Sequence, residues 1–273
     1  MDWGMKNRMQ RVFRPANGRT VMLAVDHGYF QGPTTGLESP SKAVAPLLPY
    51  ADALMCTRGL LRSSVAPGSP APVVLRVSGG PSILRELSDE EITTSMEDAI
   101  RLNASGVGMS VFIGSEHERQ TVVNLGRLVN EGERWGMPVL AITAVGREME
   151  RDARYLGLAC RICAEIGAHY VKTYYCDGFE RVVEACPVPV VIAGGKKLPE
   201  VDALRLGHAA IRAGAAGVDM GRNIWQSENP VAMIRAVAAV VHQDASVEEA
   251  YDAYESLSRG GASLAQAPSR GKP

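Results

Sequence analysis

A lysine set in the middle of an aromatic and β-branched run calls for a chemical explanation. The run is HYVKTYY, residues 169–175, preceded by Gly167 and followed by Cys176-Asp177-Gly178, and its composition is that of a buried strand. An ammonium group in such a strand must be paired, lose its proton or serve a reaction. A lysine whose pKa falls on burial can add to a carbonyl and hold it as an iminium. Lys172 is therefore read either as one half of a buried ion pair or as a Schiff-base nucleophile. Asp26 and His27 close the apolar run TVMLAVDH at 20–27. Asp26 can stabilise an ammonium or iminium at Lys172 and move protons around a carbinolamine, or it can be paired with Arg76 or Lys172 inside the fold. His27, with an unperturbed pKa of about 6.5, suits proton transfer; the other reading is a hydrogen-bonded structural histidine. The segments AGGKK at 193–197 and DMGRN at 219–223 carry Gly194, Gly195 and Gly221, where backbone N–H groups can approach an anion, and Arg222, which adds a bidentate charge. Two ordinary tight turns are the alternative. Lys196 and Lys197 are read as solvated or phosphate-facing.

These residues act together only if the chain brings them to one place. Eight apolar runs read as strands: Thr20 to His27, Ala51 to Thr57, Pro72 to Ser78, Gly106 to Ile113, Pro138 to Val145, His169 to Tyr175, Val188 to Ala193 and Gly217 to Met220. Helical segments are expected around Ser41 to Leu48, Asp89 to Asn103, Glu116 to Trp135, Asp152 to Gly167, Phe179 to Ala185, Glu200 to Ala213 and Pro230 to His242. In the helix from Asp152, residues Tyr155, Leu158, Ala159, Ile162, Cys163 and Ile166 fall on one face. Eight strand-then-helix units in one chain predict an α/β fold, a single-domain TIM (β/α)8 barrel over residues 1–257. A doubly wound sheet is the runner-up, but GxGxxG is absent after the first strand. In a barrel, polar residues at the carboxyl ends of strands share one mouth. Asp26 and His27, Arg76 and Ser78, Lys172, Gly194-Gly195 and Gly221-Arg222 all satisfy that condition. The segment from Ser258, SRGGASLAQAPSRGKP, is expected to be a disordered tail.

The 273 residues are 46% hydrophobic and 22% charged with a formal net charge of -1, which argues against a nucleic-acid footprint or a membrane-surface patch. No run approaches the roughly 18 apolar residues of a membrane span, and the amino terminus lacks an apolar signal core. A cytoplasmic protein acting on a small molecule is expected. The five cysteines, at 56, 160, 163, 176 and 186, are read as buried thiols in a reducing compartment. No metal is expected, because no His/carboxylate cluster has ligand spacing.

With these motifs the chain resembles the class I aldolases of the archaeal fructose-bisphosphate type. The resemblance is carried by AVDHG at 24–28, VKTYY at 171–175, VIAGGKK at 191–197 and GVDMGRNIWQ at 217–226. It is closer still to a thiolase branch of that family, through DWGM at 2–5, VMLAVDHGYFQGPTTGLE at 21–38, LMCTRG at 54–59 and CPVPVVIAGGKKLPE at 186–200. The resemblance implies Lys172 as the Schiff-base residue and Gly194, Gly195, Gly221 and Arg222 around a phosphate. It further implies transfer of the acetyl group of 3-hydroxy-2,4-pentadione 5-phosphate to coenzyme A, a co-substrate rather than a bound cofactor, as part of autoinducer-2 processing. The products would be acetyl-CoA and dihydroxyacetone phosphate, and the assembly a ring-type homo-oligomer, with a decamer as one size. The chain begins near DWGM, so the longer amino-terminal arm of that branch is expected to be missing from subunit packing. The aldolases carry an acid/base tyrosine near the end of strand five, in a pattern like WSYPRG. This chain has Thr143-Ala144-Val145-Gly146-Arg147-Glu148. An aldolase must deprotonate a substrate hydroxyl to expel an aldehyde, whereas thiolysis of a β-diketone needs a thiolate instead, and both leave the enamine of dihydroxyacetone phosphate. An aldolase acting on a ketose phosphate is the alternative reading, and a non-catalytic sugar-phosphate sensor a third.

Overall fold

In the computed structural model, which describes residues 1–145 and 151–260, every one of the eight apolar runs is a strand. In chain order the strands are β1 (Thr20–Ala24), β2 (Ala53–Thr57), β3 (Val73–Arg76), β4 (Ser78–Gly79), β5 (Glu91–Ile92), β6 (Gly106–Ile113), β7 (Val139–Val145), β8 (Tyr170–Tyr174), β9 (Val190–Ala193) and β10 (Gly217–Met220). All but β4 and β5 pair in parallel and close on themselves in the order β1-β10-β9-β8-β7-β6-β3-β2. This is a TIM barrel, and the lysine strand is β8. The helices are α1 (Trp3–Val12), α2 (Gly28–Gln31), α3 (Pro40–Val44), α4 (Arg58–Ser64), α5 (Met96–Arg101), α6 (Glu118–Trp135), α7 (Ala153–Glu165), α8 (Phe179–Ala185), α9 (Glu200–Arg212), α10 (Arg222–Trp225), α11 (Pro230–Gln243) and α12 (Val247–Ser258). Among the described residues no helix is long and apolar enough to cross a membrane.

Strand alternation sorts each barrel strand into an outward face under the helices and an inward face. Val21, Leu23, Leu54, Leu75, Val107, Val171, Ile192 and Val218 meet the helices in the larger core. The lower inward layer is Met22, Ala53, Met55, Val74, Leu140, Tyr170 and Val191, and it is sealed from below by Val12 and Phe13, where α1 ends. Phe13 meets the Tyr170 ring edge-on, with centroids 5.3 Å apart. The amino-terminal segment, given no helix in the sequence reading, thus stoppers the barrel.

Three expectations need correction. The helix expected over Asp89–Asn103 is only α5: Glu91–Ile92 instead pairs antiparallel with Ser78–Gly79, and the helix starts where the Ser95 side chain accepts from the Asp98 N–H. The first strand stops at Ala24, so Asp26 and His27 stand in the turn before α2. On α7 the buried stripe is Leu156, Ala159, Cys160 and Cys163, whereas Leu158 and Ile166 are 47% and 37% exposed. This stripe, with the buried Gly157, belongs to the face of α7 that meets α8 and the barrel. The helix α12 was not anticipated, although Ser246 and Glu249 form a reciprocal capping box at its start. Of the expected tail, residues 261–273 lie outside the described residues, as do Gly146-Arg147-Glu148 of the departure from the aldolase pattern.

Phe13→Ala should empty the stopper beneath Tyr170 and lower unfolding stability by about 3–5 kcal/mol. Urea denaturation checks this; a midpoint unchanged from the parent would show that α1 contributes no packing to the barrel floor.

Candidate active site

The upper inward layer continues the same strand alternation but changes its chemistry. Two residues beyond Tyr170 comes Lys172, beyond Val74 comes Arg76, and beyond Met22 and Ala24 comes Asp26. With Ser110 and Asp219 they line a cavity of about 380 Å³ at the carboxyl ends of the strands. His27, Gly194, Gly195, Gly221 and Arg222 line it too, so of the nine strand-end residues singled out from sequence all but Ser78 line one mouth.

Lys172 is buried, and its Nζ lies 2.8 Å from Oδ2 of Asp219, whose side chain is completely enclosed. Burial pushes the Asp219 carboxyl above its ordinary range, while the Lys172 charge pulls it down and Asp26 pushes it up. Of the partners weighed for Asp26, Arg76 is the one that holds it, with Nη1 donating to its Oδ2 at 3.4 Å. The sequence reading missed Asp219 as a site residue although its signal was the same as that of Lys172: a charged side chain at an inward position of an otherwise apolar strand.

Arg76 is the hub of a wider buried network. Its guanidinium donates to both oxygens of Glu90 at 2.9 Å, to Tyr29 Oη at 2.5 Å and to Ser110 Oγ at 2.5 Å. Glu90 also accepts from Tyr29 Oη at 2.7 Å and from Ser78 Oγ at 2.6 Å. Ser78, read from sequence as a strand-end candidate, therefore serves this network. Burial first, then Glu90 and Asp26, push the Tyr29 phenol well above its ordinary value, against the pull of Arg76. Glu90 comes from the long connection between β4 and α5 and Tyr29 from α2; no local pattern linked either to Arg76.

The opposite wall is made of glycine backbone. At Gly221 a Cβ would sit 2.5 Å from Ala24 O and 2.7 Å from His27 Cε1, so this glycine makes room for the His27 ring. Gly195 has φ +69 and nothing within 4 Å of where a Cβ would be, leaving its backbone open to a ligand. Asn223, fully buried, clips the two loops together: its Nδ2 donates to Gly194 O at 2.7 Å and its Oδ1 accepts from Leu198 N at 2.8 Å. Arg222 Nε is buried and has no hydrogen-bond partner among the described residues, a donor that an anion in this wall would satisfy. Lys196 is exposed and Lys197 is tied to Glu200 at 2.7 Å; neither lines the cavity.

His27 packs edge-on against Trp225, 5.4 Å between centroids, and Trp225 Nε1 donates to Ala24 O at 3.0 Å. Burial lowers the His27 pKa from 6.5; Asp26, whose Oδ1 is 4.0 Å from Nδ1, opposes this, and Lys172, Arg222 and Arg76 add to the lowering. The neutral imidazole is therefore favoured over the charged form relative to an ordinary histidine. The cysteines are free and buried. Burial pushes the Cys160 thiol up to about 12, far from a reactive thiolate.

Comparison with known proteins gives a consistent setting for this geometry. The DeoC/LacD family aldolase profile matches residues 20–227. A Photorhabdus laumondii protein named 3-hydroxy-5-phosphonooxypentane-2,4-dione thiolase is 59% identical over 255 residues, covering 93% of this chain and 88% of its own. A protein of the same name from Salmonella typhimurium is 58% identical over the same shares. Among solved structures, an archaeal fructose-1,6-bisphosphate aldolase with its catalytic lysine covalently bound to the carbinolamine intermediate is 27% identical. It superposes with a TM-score of 0.78 over 87% of this chain and 99% of its own.

The His27 environment makes a signed prediction. Its titration midpoint, followed through the Cε1 proton by NMR, should lie below 6.5, and Asp26→Asn should lower it further by removing the opposing carboxylate. Stability contributed by the neutral ring is in place above pH 6.5 and is lost as pH falls through the folded-state midpoint. A midpoint at or above the ordinary value would contradict the burial argument.

Proposed function

The chain belongs to the DeoC/LacD aldolase family, and from that membership we propose that it is a Schiff-base thiolase acting on a phosphorylated diketone. The observation that carries the reading is the enclosed Lys172–Asp219 pair at 2.8 Å, facing a wall of glycine backbone and Arg222 in one cavity. The substrate proposed is 3-hydroxy-2,4-pentadione 5-phosphate, in keeping with the names of the relatives that are 58–59% identical. Its phosphate lies against Gly194, Gly195, Gly221 and Arg222. The neighbouring ketone then meets Lys172.

Lys172 adds to that ketone and, with loss of water, forms the iminium. The thiolate of coenzyme A attacks the acetyl carbonyl, and the carbon–carbon bond to the central carbon breaks. Its electron pair passes into the iminium, leaving acetyl-CoA and the enamine of dihydroxyacetone phosphate. Protonation at carbon and addition of water release the second product and restore the amine. His27, neutral at pH 7, takes the thiol proton. Asp26, fixed by Arg76, accepts a hydrogen bond from the substrate hydroxyl.

The free, buried cysteines support a cytosolic setting. The exposed apolar side chains Trp3, Leu158 and Ile166 on the outer helices support a homo-oligomer. We place the reaction in autoinducer-2 processing on the strength of the relatives' substrate alone. An aldolase reading shares every step up to the iminium; a sensor would have no use for a lysine paired only with an enclosed carboxylate.

Lys172→Ala should fold, because Asp219 can take up a proton once its partner is gone, and should still bind dihydroxyacetone phosphate. It should show no turnover and no borohydride-trapped adduct, whereas the parent is labelled at Lys172 by peptide mass spectrometry. Turnover should require coenzyme A and yield acetyl-CoA. Full activity in Lys172→Ala would end the Schiff-base account, and cleavage without any thiol would move the protein to the aldolase side.

A further inference from the structure

The buried carboxylates of this barrel are not alike. Glu90 accepts from Arg76, Tyr29 and Ser78. Asp52, below the barrel, accepts from Arg14 and the Val21 N–H and pairs with His242. Each is satisfied by several donors. Asp219 has one ion-pair partner among the described residues, the Lys172 ammonium at Oδ2, and beyond that contact both of its buried oxygens lack a hydrogen-bond partner there. The other groups that face it are Asp26, from the turn after β1, and the Tyr170 phenol, from the inward row of β8. The first is a like charge, and the second has a buried hydroxyl that itself lacks a partner. Among the described residues, only the lysine offers Asp219 an opposite charge.

A lysine in that setting cannot attack a carbonyl until its own proton has somewhere to go. Loss of water from the carbinolamine later requires a proton to be supplied at the same place. We propose that Asp219 is the proton carrier for Lys172, a catalytic residue in contact with the reacting nitrogen. Oδ2 takes one proton from the ammonium, leaving an amine whose lone pair forms the nitrogen–carbon bond as the carbonyl electron pair moves to oxygen. A second nitrogen proton passes to that oxygen, giving the neutral carbinolamine. Asp219 then returns its proton to the hydroxyl, the carbon–oxygen bond breaks, and water leaves as the nitrogen lone pair closes the iminium. Of the three ammonium protons, one stays on the iminium nitrogen and two leave in water; Asp219 ends ionised beside a cation, as it began.

The inference rests on the iminium reading, so its test isolates iminium formation from thiolysis. Exchange of the ketone oxygen of 18O-labelled dihydroxyacetone phosphate with solvent water, above the uncatalysed rate, reports reversible iminium formation without coenzyme A. Asp219→Asn keeps the size of the side chain but cannot carry the proton. It should exchange at least about 100-fold more slowly than the parent, the lower bound expected for a lost general acid–base, with unchanged affinity for the ligand by calorimetry. Formate should restore exchange to Asp219→Ala. If Asp219→Asn keeps the parent's maximal exchange rate and only shifts its pH optimum downward, Asp219 merely holds the lysine charge and the proposal fails. Loss of ligand affinity or of the folded circular-dichroism spectrum in Asp219→Asn, or absence of formate rescue, would assign it a structural role and overturn the proposal. Absence of exchange in the parent itself would sink the iminium reading, and this inference with it.

Discussion

One ammonium and one carboxylate enclosed together, Lys172 and Asp219 at 2.8 Å, set the terms for the rest of the barrel. Neither is tolerable there as a lone charge, since an uncompensated buried charge is far more costly than the pair. They come from β8 and β10, strands separated only by β9 in the ring. Closure of the barrel is therefore what makes the pair possible. The apolar layer below, from Met22 through Tyr170 to Val191, keeps water from reaching the pair from beneath, and a low-polarity floor strengthens every electrostatic contact above it.

The two walls of the cavity are organised by opposite means. On the Arg76 side, side chains from α2, β6 and the connection before β5 converge on the guanidinium that β3 supplies, and the same guanidinium holds Asp26. On the glycine side, backbone is brought close by removing side chains. Gly221 accommodates His27, and Asn223 ties the loop after β9 to the segment after β10. One wall is rigid because it is crowded with polar contacts; the other is rigid because two loops share one amide.

The barrel was legible from eight apolar runs of the right length, and β6 and β10 even kept their expected ends. The mouth was legible because Lys172, Asp26, His27 and the two glycine loops all fall at strand ends, where this fold collects its functional residues. What was hidden was partnership. Asp219 was in plain sight within GVDMGRN, inside the expected eighth strand, but was not singled out as a site residue. Its pairing with Lys172 depends on which strands become neighbours, and no spacing along the chain encodes that. Glu90 and Tyr29 meet Arg76 for the same non-local reason. The α7 stripe was ambiguous because small and apolar residues fill both candidate faces, and which face is buried depends on where α8 and the barrel pack. Short elements such as β4 and β5 carry too little pattern to separate from a helix start.

The stopper formed by Val12 and Phe13 has a kinetic corollary. Among the described residues the base is closed, so under the proposed reaction a phosphorylated ketone seated beside the glycine wall and a thiol co-substrate would share the opening at the strand ends. The thiol would then reach the acetyl group only after the smaller molecule had gone in, and the acylated thiol would have to withdraw before the three-carbon phosphate could follow.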